Sequence, residues 1–111
     1  MNAHLPPEWA PQSGVMLTWP QADGDFREHF AKVEQTFLRI AAAISQFEPV
    51  QINYQHDHVS LLLRIAAVGG LSERITVHTV ESDDVWARDH GPITIVRDGQ
   101  LVHLDFTFNG W

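Results

Sequence analysis

The sequence predicts an α/β domain in which helices cover a sheet. Three observations carry that expectation. β-branched and aromatic runs recur over residues 15–19, 50–54 and 74–80, as strands do between glycine, proline and polar residues. Two segments of helical periodicity lie between them. Two further extended runs, 92–97 and 101–108, flank Asp98-Gly99, a strong hairpin turn signal. The expected order is β-α-β-α-β, then a β-hairpin.

Each element has its own cause. The opening Pro6-Pro7-Glu8-Trp9-Ala10-Pro11 is an extended lead-in, because each proline lacks an N–H and pushes its predecessor away from helical geometry. Trp9 is expected to anchor it. Residues 15–19 form a buried strand between Gly14 and Pro20. Phe26, Phe30, Val33, Phe37, Ile40, Ile44 and Phe47 then recur at steps of four and three, a single helical stripe expected to face the sheet. Asp25 with Glu28 resembles a capping box, and Pro49 ends the helix. Arg27, Glu28, Lys32, Glu34 and Arg39 lie off the stripe and read as a solvated face. After the strand at 50–54, a second helix runs over about 57–68 to Gly69-Gly70, a left-handed C-cap. Ile75, Val77 and Thr79 alternate through the third strand.

Composition bounds the partners. The chain has 111 residues, 14 acidic against 7 basic, for a net charge of −7 with neutral histidine. Such a charge disfavours nucleic acid and anionic membrane and suits a cationic ligand. With 44% hydrophobic residues and four tryptophans, a buried core is within reach. The absence of cysteine excludes a disulfide framework, a thiolate metal site and a cysteine nucleophile within these residues. No basic stretch leads into an apolar one as in a secretory signal, and no apolar run approaches the roughly 20 residues of a membrane span, so a cytoplasmic location is expected. Phe106, Phe108 and Trp111 end the sequence on an apolar run with the turn dipeptide Asn109-Gly110 inside it. A turn with no returning strand suggests a piece of something longer.

The chemistry concentrates in residues 81–92. Glu81, Asp83, Asp84 and Asp89 place four carboxylates within nine residues, beside Trp86, Arg88 and His90. Such carboxylates repel one another unless a guanidinium, an ammonium or a metal sits among them. Trp86 offers a flat face for a planar cation, an attraction worth about 0.5–2 kcal/mol. A carboxylate such as Asp89 can accept two guanidinium N–H groups side by side. The loop also follows a strand, and strand ends are where α/β sheets place ligands. The same residues suit a purely structural turn as well, with Arg88 ion-paired to its neighbours and Trp86 in the core.

Trp86-Ala-Arg-Asp-His-Gly-Pro92 resembles the Trp-x-Arg-Asp-x-Gly-Pro signature of the agmatine deiminases and the related bacterial peptidylarginine deiminases. Asp83-Asp84, Pro7-Glu8-Trp9-Ala10-Pro11, Gly14-Val15, Trp19-Pro20 and the segment from Leu104 to Trp111 fit the same family in order and spacing. The resemblance runs from about Pro6 to Trp111 and implies the N-terminal portion of a pentein α/β propeller, with residues 1–111 a single partial domain, about a third of the enzyme. It implies hydrolysis of agmatine to N-carbamoylputrescine and ammonia, with no cofactor and no metal. By the same resemblance Asp89 is the catalytic carboxylate that holds the guanidinium for attack. Trp86 lines the pocket, Asp84 faces the distal amine, and Trp111 adds pocket wall.

The family's nucleophilic cysteine and its His-x-Asp-Gly-His segment have no match in this sequence, and His56-Asp57-His58 is not that segment because no Gly-His follows. These 111 residues alone are therefore expected to be inert, and to self-associate through uncovered sheet edges, for instance by exchange of the C-terminal hairpin. Two alternatives stay open: a peptidylarginine deiminase segment, or a non-catalytic module that binds guanidines or polyamines. The seven histidines show no Cys-x-x-Cys or His-x-x-x-His spacing, so no metal site is expected.

Overall fold

Val50 and Ile52 alternate along one strand and are completely buried, and Tyr54 just past its end is buried as well. That strand is the centre of a parallel sheet. In a computed structural model the described residues are 2–107, and they fall into two compact units, one Ser13–Val85 and the other formed by the residues before and after it.

The continuous unit holds three parallel strands, β2 (Val15–Thr18), β3 (Val50–Asn53) and β4 (Ile75–His78), in the order β2-β3-β4 with Val15 beside Val50 and Val50 beside Ile75. The label β1 belongs to a short strand of the other unit, Ala3–His4. Parallel neighbours cannot be joined by a tight turn, so each connection is a helix: α1 (Phe30–Ser45) between β2 and β3, and α2 (His58–Ala67) between β3 and β4. Asp57 caps α2, its carboxylate accepting the Val59 N–H at 3.1 Å. Gly69, at φ 96°, ends the helix where a side chain would be strained, and the Gly70 N–H returns to the Ile65 carbonyl at 3.0 Å. Leu38, Ala41, Ala42, Leu61 and Ile65 are the buried helical contribution to the core.

The face that α1 buries differs from the expected stripe. Leu38, Ala41, Ala42 and Ser45 are buried, whereas Ile40 is 40% and Phe47 81% exposed, and Phe37 and Ile44 only flank the core. The buried set lies one residue along from the phenylalanine stripe, a rotation of about 100°. Alanine and serine let the helix backbone approach the sheet closely, and hydrophobicity alone does not rank alanine above phenylalanine. Ser45 is satisfied there: its hydroxyl donates to the Ala42 carbonyl at 2.7 Å and accepts the Leu71 N–H at 3.0 Å. The expected capping box is absent, since Arg27–His29 is a single 3-10 turn and His29, the N-cap of α1, makes no side-chain cap bond.

Glu34 is also not on a solvated face. It accepts the Trp19 indole N–H at 2.9 Å and the Arg64 guanidinium at 2.7 Å, and Arg64 donates in turn to the Tyr54 hydroxyl at 3.0 Å. Trp19 meets Phe37 and Tyr54 edge-on, with ring centres 5.5 and 6.3 Å apart. This network ties the C-terminal end of β2 to both helices.

The second unit is an antiparallel sheet, β1-β5-β6, with β5 (Ile93–Arg97) and β6 (Gln100–Leu104) joined by Asp98-Gly99. Asp98 and Gly99 have φ values of 50° and 80°, the left-handed pair of a two-residue hairpin whose twist matches the strands. The backbone of Asn2 donates to the Asp98 carboxylate at 2.9 Å, and the Asp98 N–H returns to the Asn2 carbonyl at 2.8 Å, which seats β1 against β5. Two residues are too few for a strand to show in an alternation pattern. β6 ends at Leu104, short of the expected 108. Trp9, expected to anchor the lead-in, is 87% exposed and lies outside the buried core of the described residues. No helix among the described residues is long and apolar enough to cross a membrane.

Candidate functional site

The loop that follows β4 is drawn in by two amides. The Gln21 side chain, just past the end of β2, donates to the Ser82 carbonyl and lies 3.3 Å from the Ser82 hydroxyl. Gln55, just past the end of β3, donates to the same carbonyl at 3.3 Å. Three strand ends thus converge on one peptide, as expected where parallel sheets build sites.

Beyond that peptide, Asp83 and Asp84 line a small pocket with Trp19, Gln21, Asp25 and Phe26. Its free space is about 10 Å³, room for about one water molecule. One Asp84 oxygen accepts the Val85 N–H at 2.7 Å. A side-chain hydrogen bond with Asp84, reinforced by that carboxylate's charge, raises the Asp25 carboxyl above its ordinary value of 3.8, while Arg27 opposes the rise. Asp25, expected to start a helix, instead faces Asp84. The sequence offers one sign of this, a third carboxylate next to the strand-end residues Trp19 to Gln21.

A raised carboxyl binds its proton more tightly in the folded than in the unfolded chain. Its contribution to stability is therefore complete below 3.8 and is lost as pH rises through the folded-state value. Asp25→Asn should flatten that part of the stability–pH curve and leave the variant no less stable at pH 7. Urea unfolding from pH 3 to 7 checks this, and a variant less stable at neutral pH would contradict it.

Trp86 and Asp89 belong to the other unit. Trp86 is the N-cap of α3 (Ala87–His90), with φ −76° and ψ 71°, and is 55% exposed rather than in a core. The Asp89 N–H bonds to the Trp86 carbonyl at 2.9 Å, and the Gly91 N–H closes the turn on Ala87 at 2.7 Å. The Asp89 side chain is exposed and accepts no hydrogen bond from the described residues of its unit. Arg88, expected to pair with neighbouring carboxylates, forms no ion pair within the described residues of its unit. α3 presents the signature carboxylate and indole to solvent, available to a planar cation. Trp111 lies outside the described residues.

Among the described residues no three histidine or carboxylate side chains are grouped to hold a metal ion. His58 pairs with the Thr79 hydroxyl at 3.0 Å, His103 with the Thr94 hydroxyl at 2.7 Å, and His78 with the Gln51 amide.

Comparison with known proteins places these features in a family. The family model described as Porphyromonas-type peptidyl-arginine deiminase matches residues 4–111. The agmatine deiminase of Stutzerimonas stutzeri is 37% identical over 110 residues, 97% of this chain and 28% of that relative. The chain thus spans little more than a quarter of the curated relatives it matches. Among solved structures, the agmatine deiminase of C. jejuni superposes with a TM-score of 0.81 at 25% identity, covering 98% of this chain and 32% of that one. A variant of the same enzyme with substrate bound gives 0.82 at 26% identity, covering 99% of this chain and 31% of that one. The mixed α/β architecture is that of these enzymes, and the chain belongs to the Porphyromonas-type peptidyl-arginine deiminase family.

Proposed function

We propose that this chain is the N-terminal segment of an agmatine deiminase built as a pentein propeller, and that the full-length protein hydrolyses agmatine to N-carbamoylputrescine and ammonia. The observation that carries this reading is the segment from Trp86 to Pro92, with Asp89 and Trp86 presented by α3, in a chain 37% identical to an agmatine deiminase over nearly its whole length. The physical logic is consistent. A guanidinium is a resonance-stabilised cation and a poor electrophile, so its hydrolysis needs a strong nucleophile and fixed counter-charges. Asp89 accepts two guanidinium N–H groups and orients the carbon, Trp86 stacks on the flat cation, and Asp84 faces the distal ammonium.

The family resemblance implies a cysteine thiolate as nucleophile, and these residues, which contain no cysteine, do not supply it. The thiolate adds to the guanidinium carbon, ammonia leaves, and water releases the ureido product and restores the thiol. The 111 residues alone are inert on this reading. The description of the matching family favours one second reading, peptidyl-arginine as substrate through the same guanidinium contacts.

The test is a ureido-product assay of the full-length protein and of the isolated chain, with agmatine and with a peptidyl-arginine side by side. Turnover of agmatine by the full-length protein alone is the expected result. Turnover by the isolated chain, or of peptidyl-arginine in preference, would overturn it.

A further inference from the structure

The Ser82 carbonyl is an unusual meeting point. It accepts from the side-chain amides of both Gln21 and Gln55, which fills its two acceptor positions with donors from two different strand ends. A loop carbonyl is ordinarily left to water. Here it is held from the sheet, and the residues that follow it, Asp83 and Asp84 among them, line the pocket.

The chemistry of the donors matters. Lysine or arginine could hold a carbonyl as well, but a cation beside Asp83 and Asp84 would neutralise the negative potential that attracts a cationic ligand. A neutral amide fixes the backbone and leaves the carboxylates their charge. Gln21 lies in the pocket wall itself, so any added charge there would be felt directly.

We propose that Gln21 and Gln55 are positioning residues: by holding the Ser82 carbonyl they set where the Asp84 carboxylate stands, and so determine the affinity for the cationic end of the substrate remote from the guanidinium. This assignment rests on the agmatine reading above. It distinguishes the two ends of the substrate. On that reading Asp89 holds the reacting guanidinium, whereas the clamp acts on the distal ammonium alone.

Gln21→Met and Gln55→Met remove the donors at nearly constant shape and without adding charge. In the full-length protein each should raise KM for agmatine by about three- to tenfold, the worth of one hydrogen bond, with kcat nearly unchanged. Turnover of butylguanidine, which lacks the distal amine, should not change. Equal losses on both substrates would mean a merely structural role, and no change on either would mean the clamp is idle; each result overturns the proposal. If the unaltered full-length protein does not act on agmatine, the functional reading fails instead. Amide exchange of Asp83 to Val85 then decides the clamp: faster exchange in the variants sustains it, and unchanged exchange overturns it.

Discussion

Asp89→Asn in the full-length protein should lower kcat/KM for agmatine by about a hundred- to a thousandfold, the usual cost of removing a fixed charge partner from a reacting group. Asparagine keeps one acceptor oxygen but turns an NH2 toward the guanidinium N–H groups and carries no charge. The Asp89 side chain is exposed, and its bond to Trp86 is made by the backbone. The substitution should therefore leave folding intact, which circular dichroism and an unchanged melting temperature would establish. Steady-state kinetics with agmatine read the effect. Activity within threefold of the unaltered protein would remove Asp89 from the site.

The largest effect on stability is expected in the helical layer over β3. Leu61 is completely buried, while Leu63, two residues on along α2, is 66% exposed. A step of two residues carries a helix side chain to the opposite face. Leu61→Ala should cost about 2–5 kcal/mol, because the lost contacts leave a cavity that the packed sheet and α1 cannot fully close. Leu63→Ala should stay within about 0.5 kcal/mol. Urea midpoints of the two variants test the assignment directly, and equal shifts would show that α2 buries a different face.

The two helices differ in how far the sequence alone defines them. In α2 the N-cap aspartate, the buried leucine and isoleucine, and the closing glycines all point to the same helix. In α1 two stripes of the same period compete, one rich in phenylalanine and one of Leu38, Ala41, Ala42 and Ser45. Period identifies the helix, but which stripe faces the sheet depends on how close the backbones come. That distance is a property of the packed layers and has no local signature.

Glu34 shows the limit for charged residues. Its position off the apolar stripe suggests solvent, yet it joins Trp19 to Arg64, partners 15 and 30 residues away in the chain. The site has the same character. Asp84, Trp86 and Asp89 were nameable as candidates because they lie within six residues of one another, in or beside a recognisable signature. Asp25, Gln21 and Gln55 were not, because their relation to the loop exists only once β2, β3 and β4 lie side by side.

By itself, then, the sequence determined the elements that rest on neighbours a few residues apart: two helices, the strand runs, the Asp98-Gly99 hairpin and the motif from Trp86 to Pro92 that carries the family. Only the tertiary structure decided which face of α1 is buried, which carboxylates meet, and that two neutral amides hold the acidic loop. The physical reason is range. Dihedral preferences, caps and periodicity act within about a turn of chain, whereas close packing and the pairing of buried polar groups join residues far apart in sequence.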